Sequence, residues 1–309
     1  MTEVLHTRCD SVYGVYHPQT DPSIITEHFE GVKLKALDIL NYSSLAEWVS
    51  EIKPEWVFHL AGQSHVPSSW SDPRGTFEIN VFGALNVLEA CSGFRNKPKI
   101  LFVSSGDVYG DTSKAKDAVT EDFPIHPLNP YSASKAAMEW MVKVQSASKR
   151  VHIVCIRPFN HIGPYQSPAF VASDFARQLA LIEMGDQKPI MKTGNLDVVK
   201  NFTDVRDVVN AYILALEKCP SGEVYNLASD KSLTIRRLLE ILMSLSAVTP
   251  KVITEKSKLR GAQSSAGKIS SQRFRKVTGW RPTIPIEQTL KDILDYWRSE
   301  VAKQKVKTK

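Results

Sequence analysis

The chain of 309 residues reads as an α/β protein, a doubly wound parallel sheet followed by a smaller C-terminal α/β lobe. Three observations predict this. Short apolar runs and longer amphipathic stretches alternate through the first half, as strands and crossover helices do in a parallel sheet. The run Trp56-Val57-Phe58-His59-Leu60 is apolar but for one His, which suits a strand covered on both faces. After Pro164 the alternation gives way to helices with few strands between them.

The elements follow in order. Residues 1–9 read as a helix around Val4 and Leu5, and residues 11–16 alternate as a short strand that His17-Pro18 ends. Residues 32–37 form a second strand. Residues 43–52 place Leu45, Trp48, Val49 and Ile52 at helical spacing. Residues 77–91 carry a helical stripe of Phe77, Val81, Leu85 and Leu88. Then come a strand at 100–103, a long helix at 131–146 and a strand at 152–156. The second half holds helices at 170–183, 207–217, 234–245 and 286–301, with short strands at 224–227 and 251–254. Residues 257–271 are the most polar and Gly/Ser-rich stretch, read as a loop that is mobile or closes over a substrate. The predicted division is a dinucleotide-binding domain at 1–163, a substrate lobe at 164–302 and a basic tail at 303–309.

Composition narrows the class. Hydrophobic residues at 42% and charged residues at 23% fit a soluble globular protein. No apolar run approaches the ~20 residues needed to cross a bilayer, and the N-terminus lacks a charged-then-apolar leader. Cys9, Cys91, Cys155 and Cys219 are far apart and form no CxxC pair, so reduced thiols in a cytoplasmic protein are expected, with no metal site. His59 and His65 lack a companion at metal-ligand spacing and read as core or loop histidines. The net charge of +6 owes much to Lys303, Lys305, Lys307 and Lys309, a solvated tail. No nucleic-acid signature accompanies it.

The chemistry concentrates in Tyr131-Ser132-Ala133-Ser134-Lys135. Four residues apart on a helix, Tyr131 and Lys135 share a face. A free phenol titrates near pH ~10, and a nearby ammonium favours its phenolate. Upstream, Val103-Ser104-Ser105-Gly106-Asp107-Val108-Tyr109-Gly110 runs from a strand into a loop that can bring the Ser105 hydroxyl to the phenol. Downstream, Ile156-Arg157-Pro158-Phe159-Asn160-His161-Ile162-Gly163-Pro164 is a second strand entering a polar loop. A surface Tyr and Lys beside an N-cap Ser is the structural alternative.

These three segments, in this order, resemble the extended short-chain dehydrogenase/reductase family, in its nucleotide-sugar epimerase/dehydratase branch. Adding Leu60-Ala61-Gly62-Gln63, residues 201–208 and Thr278-Gly279-Trp280-Arg281-Pro282, the resemblance runs from about Val12 to Trp297. It is strongest to the members that act on GDP-linked 4-keto-6-deoxy sugars. The resemblance implies a Rossmann-like fold, an NADP or NAD cofactor, and reduction of GDP-4-dehydro-6-deoxy-D-mannose to GDP-D-rhamnose. Tyr131 would pass a proton to the sugar oxygen, Lys135 would stabilise the phenolate and hold a cofactor ribose, and Ser105 would polarise the carbonyl. Asp107 stands where the related 4,6-dehydratases carry a Glu, so dehydration is the runner-up activity. A catalytically silent nucleotide-sugar binder is the third reading.

For the cofactor, the resemblance points to Asp38 and Ile39 near the adenine, with a turn role as the alternative for Asp38. It also points to Leu60, Ala61 and Gly62 under the ribose and nicotinamide, and to Pro158 and His161. His17-Pro18-Gln19 lacks the acid that would hold a ribose 2′-hydroxyl, which favours NADP. Asn80 matches a bracing asparagine. For the substrate diphosphate, Asn160, Lys200 and either Arg260 or Lys268 are candidates, with solvated surface cations as the alternative for the last two. Lys200 gives a point charge where relatives often carry the Arg fork. A homodimer through the helices at Phe77 and Tyr131 is expected by the same analogy. The family also opens with a strand and a glycine-rich turn. Aligning Val12–Tyr16 with its second strand leaves neither matched, which predicts a sheet short of its middle strand and a pyrophosphate grip without its usual amides.

Overall fold

A computed structural model describes residues 1–8, 11–26, 31–149, 151–258 and 265–307. The chain runs α1 (Thr2–His6), β1 (Tyr13–Tyr16), α2 (Ser23–Thr26), β2 (Lys33–Ala36), α3 (Tyr42–Ile52) and β3 (Trp56–His59). It continues with α4 (Val66–Ser71), α5 (Pro73–Phe77), a π turn (Glu78–Phe82), α6 (Gly83–Ser92) and β4 (Lys99–Val103). A 3-10 turn (Gly106–Tyr109), α7 (Pro130–Lys149), β5 (Ile153–Pro158), β6 (Asn160–Ile162), α8 (Val171–Glu183), β7 (Ile190–Thr193) and β8 (Val199–Asp204) come next. The last elements are α9 (Val205–Lys218), β9 (Val224–Leu227), β10 (Ser232–Thr234), α10 (Ile235–Ser244), β11 (Lys251–Thr254), a 3-10 turn (Lys256–Lys258), α11 (Gln272–Thr278) and α12 (Ile286–Lys307).

Two compact units form, interleaved along the sequence. One comprises Met1–Val108, Ile125–Arg157 and Val209–Tyr225; the other comprises Tyr109–Pro124, Pro158–Val208 and Asn226–Lys309.

The first unit is built on parallel strands. One sheet has the order β3-β4-β5-β9, with Val57 opposite Ile100 and Leu101 opposite Val154. Of its middle strands β5 is buried throughout and β4 from Ile100 to Phe102, as helices on both faces require. β1 and β2 pair only with each other, in parallel, with Tyr13 opposite Lys33. Among the described residues, no strand joins β1 to β3. The β1–β2 ribbon is largely exposed. Lys33 lies over the Tyr13 ring and Lys35 over the Trp48 ring, charges that discourage further edge pairing. The core joins Leu45 and Val49 of α3 to Leu88 of α6, Phe102 of β4 and Met138 and Val142 of α7.

Local chemistry sets several boundaries. Asn41 caps α3 by accepting from the Ser44 N–H at 3.1 Å, and Lys53 closes it in the left-handed region. Asp72 accepts from the Gly75 N–H at 2.9 Å to start α5, with Pro73 at its first position. The helix expected at 77–91 is interrupted. Its first turn is a π turn, and the buried side chain of Asn80 lies within it.

In the second unit α8 packs along α12, and Phe175, Leu179, Leu238, Leu242, Leu290 and Leu294 fill the core. β6, β8 and β10 form one sheet, and β7 and β11 another. Two expectations need correction, and one strand went unexpected. α12 runs six residues past Val301 to Lys307, so the basic tail begins as helix, with Lys303 bound to Glu300 at 2.8 Å and Lys305 to Asp186 at 2.9 Å. β8 was hidden by its polar residues, two of which fold inward onto partners: Asn201 donates to the Ser229 carbonyl at 3.0 Å, and Asp204 accepts from Thr289 at 2.7 Å. The described part of the polar loop is tied down. Lys268 accepts from the Val119 N–H at 2.8 Å, Ser270 donates back to Val119 at 2.9 Å, and a Cβ on Gly267 would collide with the Thr112 carbonyl.

Buried Asp207 clamps the turn before α12. Its carboxylate accepts from the Thr283 N–H and hydroxyl at 2.9 Å each and from the Ile284 N–H at 3.0 Å, and its carbonyl accepts from the Trp280 indole at 2.9 Å. Asp207→Ala leaves three donors unpaired and should cost about 2–3 kcal/mol in urea unfolding. A second expectation concerns pH. His59 is 5% exposed, and burial, with the nearby Lys135 charge, pulls its pKa to about 3. The unfolded chain takes up a proton near pH 6.5 while the folded chain does not. Stability should therefore fall as pH drops from 6.5 towards 3, and His59→Gln should flatten that part of the Tm profile.

Candidate active site

At the carboxyl end of β4 the chain turns sharply. The Ser104 N–H donates to the Ile156 carbonyl of β5 at 2.8 Å, so the loop stays at the strand ends. The Asp107 N–H donates to the Ser105 hydroxyl at 3.1 Å, which orients it. α7 begins beside this loop, where Asn129 accepts from the Ser132 N–H at 2.8 Å. Tyr131 is in its first turn, with the Ser105 hydroxyl near enough to act on its phenol. One turn later Lys135 Nζ donates to the Val103 carbonyl at 2.8 Å. All three side chains are buried. Ser105 and Tyr131 thus lie together, with Asp107 near enough to act on the phenol, and Lys135 follows one turn along α7.

The electrostatics differ from the expectation of a lowered phenol pKa. Burial pushes Tyr131 up to about 12, Asp107 adds to the rise, and the Ser105 bond opposes it. Burial brings Lys135 down to about 8, while Cys155 and Glu139 work the other way. Desolvation outweighs the ion pairing that sequence spacing suggested. At neutral pH Tyr131 is a phenol carrying a proton and Lys135 remains mainly an ammonium.

Beside these groups lies an exposed floor. Leu60, Ala61 and Gly62 follow β3 and are open to solvent. A Cβ on Gly62 would lie 2.8 Å from Asn80 Oδ1 and 3.3 Å from Lys135 Nζ, so only glycine keeps the two groups undisturbed. Asn80 donates to the Gln63 carbonyl at 3.0 Å and to Ser134 Oγ at 2.9 Å, and accepts from the Gln63 N–H at 2.9 Å. It ties the π turn, the β3 loop and α7 into one piece, the bracing role its position suggested. Ser104 Oγ is buried without a partner. A flat floor without a side chain, a cation beside it and an orphaned hydroxyl fit a nicotinamide nucleotide. Among the described residues no cluster of His, Cys, Asp or Glu could hold a metal.

The remaining candidates are spread out. Asp38 and Ile39 share the turn between β2 and α3. Asp38 accepts from the Leu40 N–H at 2.9 Å and lies 4.0 Å from His17, while the Ile39 carbonyl accepts from Asn86 at 2.9 Å. In the second unit, Pro158 is buried at the end of β5. Asn160 donates to the Asn201 carbonyl at 3.2 Å, and burial keeps His161 neutral, its ring nitrogen 3.4 Å from the Phe159 carbonyl. Lys200 lies in β8 and Lys268 in the tied loop. Arg260 lies outside the described residues. Sequence reasoning missed Glu139 and Arg157, a buried pair in which Arg157 Nη2 donates to Glu139 at 2.7 Å and Nε at 2.9 Å. The available clue was Glu139 one turn beyond Lys135 on the same face.

Comparison with known proteins places this geometry. A family model described as GDP-mannose 4,6 dehydratase matches residues 15–293. The GDP-6-deoxy-D-mannose reductase of Pseudomonas aeruginosa is 37% identical over 267 residues, 86% of this chain and 88% of that protein. GDP-mannose 4,6 dehydratase 1 of Arabidopsis thaliana is 28% identical, across 90% of this chain and 77% of that protein. Among solved structures, RMD from Pseudomonas aeruginosa complexed with NADPH superposes with a TM-score of 0.83 at 33% identity, covering 94% of this chain and 99% of that one. The UDP-glucose 4-epimerase of Thermus thermophilus in complex with NAD gives 0.84 at 27% identity, over 96% and 94% of the two chains. With its Ser–Tyr–Lys cluster at the ends of parallel strands, the chain belongs to the GDP-mannose 4,6-dehydratase family, within the short-chain dehydrogenase/reductase epimerases and dehydratases.

Proposed function

We propose that the chain is an NADPH-dependent reductase of a nucleotide-linked 4-keto sugar, converting GDP-4-dehydro-6-deoxy-D-mannose to GDP-D-rhamnose. The observation that carries this is the buried phenol of Tyr131 beside the Ser105 hydroxyl, one helical turn from Lys135. Ketone reduction requires a proton donor at the carbonyl oxygen. Bound NADPH supplies the hydride that adds to the carbonyl carbon. Ser105 hydrogen-bonds the ketone oxygen, and Tyr131 gives that oxygen its proton. The Lys135 ammonium and Ser105 stabilise the phenolate left behind until solvent returns a proton. The relative that binds NADPH supports the choice of cofactor, as does the absence of an acid at His17-Pro18-Gln19.

In this reading residues 1–163 serve the cofactor, with Asp38 and Ile39 towards the adenine and Leu60, Ala61, Gly62, Pro158 and His161 towards the nicotinamide half. Residues 164–302 serve the sugar nucleotide, and Asn160, Lys200 and either Lys268 or Arg260 contact its diphosphate. The carboxylate of Asp107 beside Tyr131 favours 4,6-dehydration as the second reading. Incubation with GDP-mannose and NADP, followed by assay for the 4-keto product, separates the two. Among the described residues no helix is long and apolar enough to cross a membrane, and we place the protein in the cytoplasm. We also propose a homodimer through α7. Trp140 and Val144 are 61% and 65% exposed one turn apart on it, and Phe82 of the π turn is 55% exposed.

Two measurements test these readings. Tyr131→Phe should lower kcat for the keto sugar by about 10²–10⁴-fold and leave NADPH affinity, read by fluorescence, within about threefold. Unchanged turnover would remove Tyr131 from the mechanism, and an intact chain that binds no NADPH would point to a silent relative. Trp140→Glu should convert a dimer to a monomer in sedimentation velocity, with the fold retained.

A further inference from the structure

Lys135 is not the only charge sealed beneath the catalytic helix. Glu139 follows it by one turn of α7, and Arg157 faces it from the end of β5. Their side chains are 5% and 6% exposed. Arg157 Nε lies 2.9 Å from Oε1 and 3.1 Å from Oε2 of Glu139, and Nη2 lies 2.7 Å from Oε2, so the carboxylate is gripped by the guanidinium fork. A buried pair of this kind contributes little net stability compared with apolar residues of the same volume. Its location suggests a different role.

The titratable groups around Lys135 can be named. His59 faces it from β3, Cys155 from β5 and Glu139 from its own helix. Tyr131 lies one turn back, with Asp107 acting on that phenol, which in turn acts on Tyr212. Arg157 acts on Cys155 from β5. Burial keeps His59 neutral and raises the Cys155 thiol well above its usual range. Of the groups acting on Lys135, Glu139 is the one carboxylate, held in the ion pair with Arg157.

We infer that Arg157 and Glu139 form a positioning pair for Lys135: the carboxylate supplies the counter-charge that keeps the buried amine protonated, and the guanidinium fork prevents that carboxylate from closing onto Nζ. Nζ is then left on the Val103 carbonyl, beside Gly62, where it meets the cofactor. The inference rests on the reading of Lys135 as a cofactor-side residue, but its test does not depend on turnover.

The test follows the Lys135 amine itself, by competitive acetylation with acetic anhydride across pH 6 to 10 and peptide mass spectrometry. Wild type, Glu139→Gln, Arg157→Lys and the double variant Glu139→Gln/Arg157→Gln are compared. In Glu139→Gln the protonation midpoint should fall by about one pH unit, a tenfold shift. In the double variant, which removes both charges, it should lie between wild type and the single variant. Arg157→Lys keeps the charge but loses the fork, so the carboxylate can approach Nζ and the midpoint should rise. If Glu139→Gln does not fold, a double-variant midpoint below wild type supports the proposal. Midpoints that stay at the wild-type value overturn it and reduce the pair to a structural bridge, as does a midpoint in Arg157→Lys that fails to rise. Variants that show these shifts, with a wild-type chain that never oxidises NADPH, would overturn the reductase reading and leave this one standing.

Discussion

Lys135 carries a charge in a place where water cannot solvate it, and the first unit is arranged to hold it there. Moving an ammonium out of water is costly unless partners replace its hydration. The Val103 carbonyl is one such partner at 2.8 Å, and Glu139 supplies a negative charge one turn away. The Val103 carbonyl is available because β4 ends there, and its strand partners β3 and β5 fix where that end lies. A parallel sheet brings the carboxyl ends of its strands together, so the loops after β3, β4 and β5 share one edge. The helix carrying Lys135 and Tyr131 packs against the same core, through Met138 and Val142, as β4 does through Phe102. Packing thereby fixes the distance between amine, phenol and serine.

Asn80 shows how strongly this depends on polar bracing. Two donor hydrogens and one acceptor oxygen join the β3 loop to α7, and the floor residue Gly62 has no room for a side chain between Asn80 and Lys135. The π turn that contains Asn80 interrupts an otherwise regular helix. Such turns cost regular hydrogen bonding and recur at functional sites. Here it holds a buried side chain that serves as the joint between two loops and a helix.

The amphipathic helices were legible in the sequence because their apolar residues recur with helical period; α3, α8 and α10 differ from expectation by at most one residue at either end. The Ser–Tyr–Lys cluster was legible through its spacing and the strand-to-loop transitions around it. β8 was not, because Lys200, Asn201, Thr203 and Asp204 look like a loop until the partners of Asn201 and Asp204 are known. The pair of Glu139 and Arg157 was invisible for a similar reason. The two residues lie 18 positions apart, and nothing local indicates that one strand end faces that helical turn. Nor did spacing foretell the direction of the Tyr131 shift. Charge proximity can be guessed from sequence, but desolvation depends on the whole packed surround.

That direction bears on the chemistry. A phenol held up at about 12 keeps its proton at neutral pH. An alkoxide developing on a reduced sugar carbon is more basic still, so proton transfer from Tyr131 is downhill once hydride begins to arrive. The reverse oxidation would start from a phenolate, which burial and the Asp107 carboxylate both disfavour. A positive nicotinamide ring is the charge that would offset them, and it accompanies the oxidised cofactor only. With the reduced cofactor the same residues form an acid, and the site as folded is set for giving a proton to a ketone.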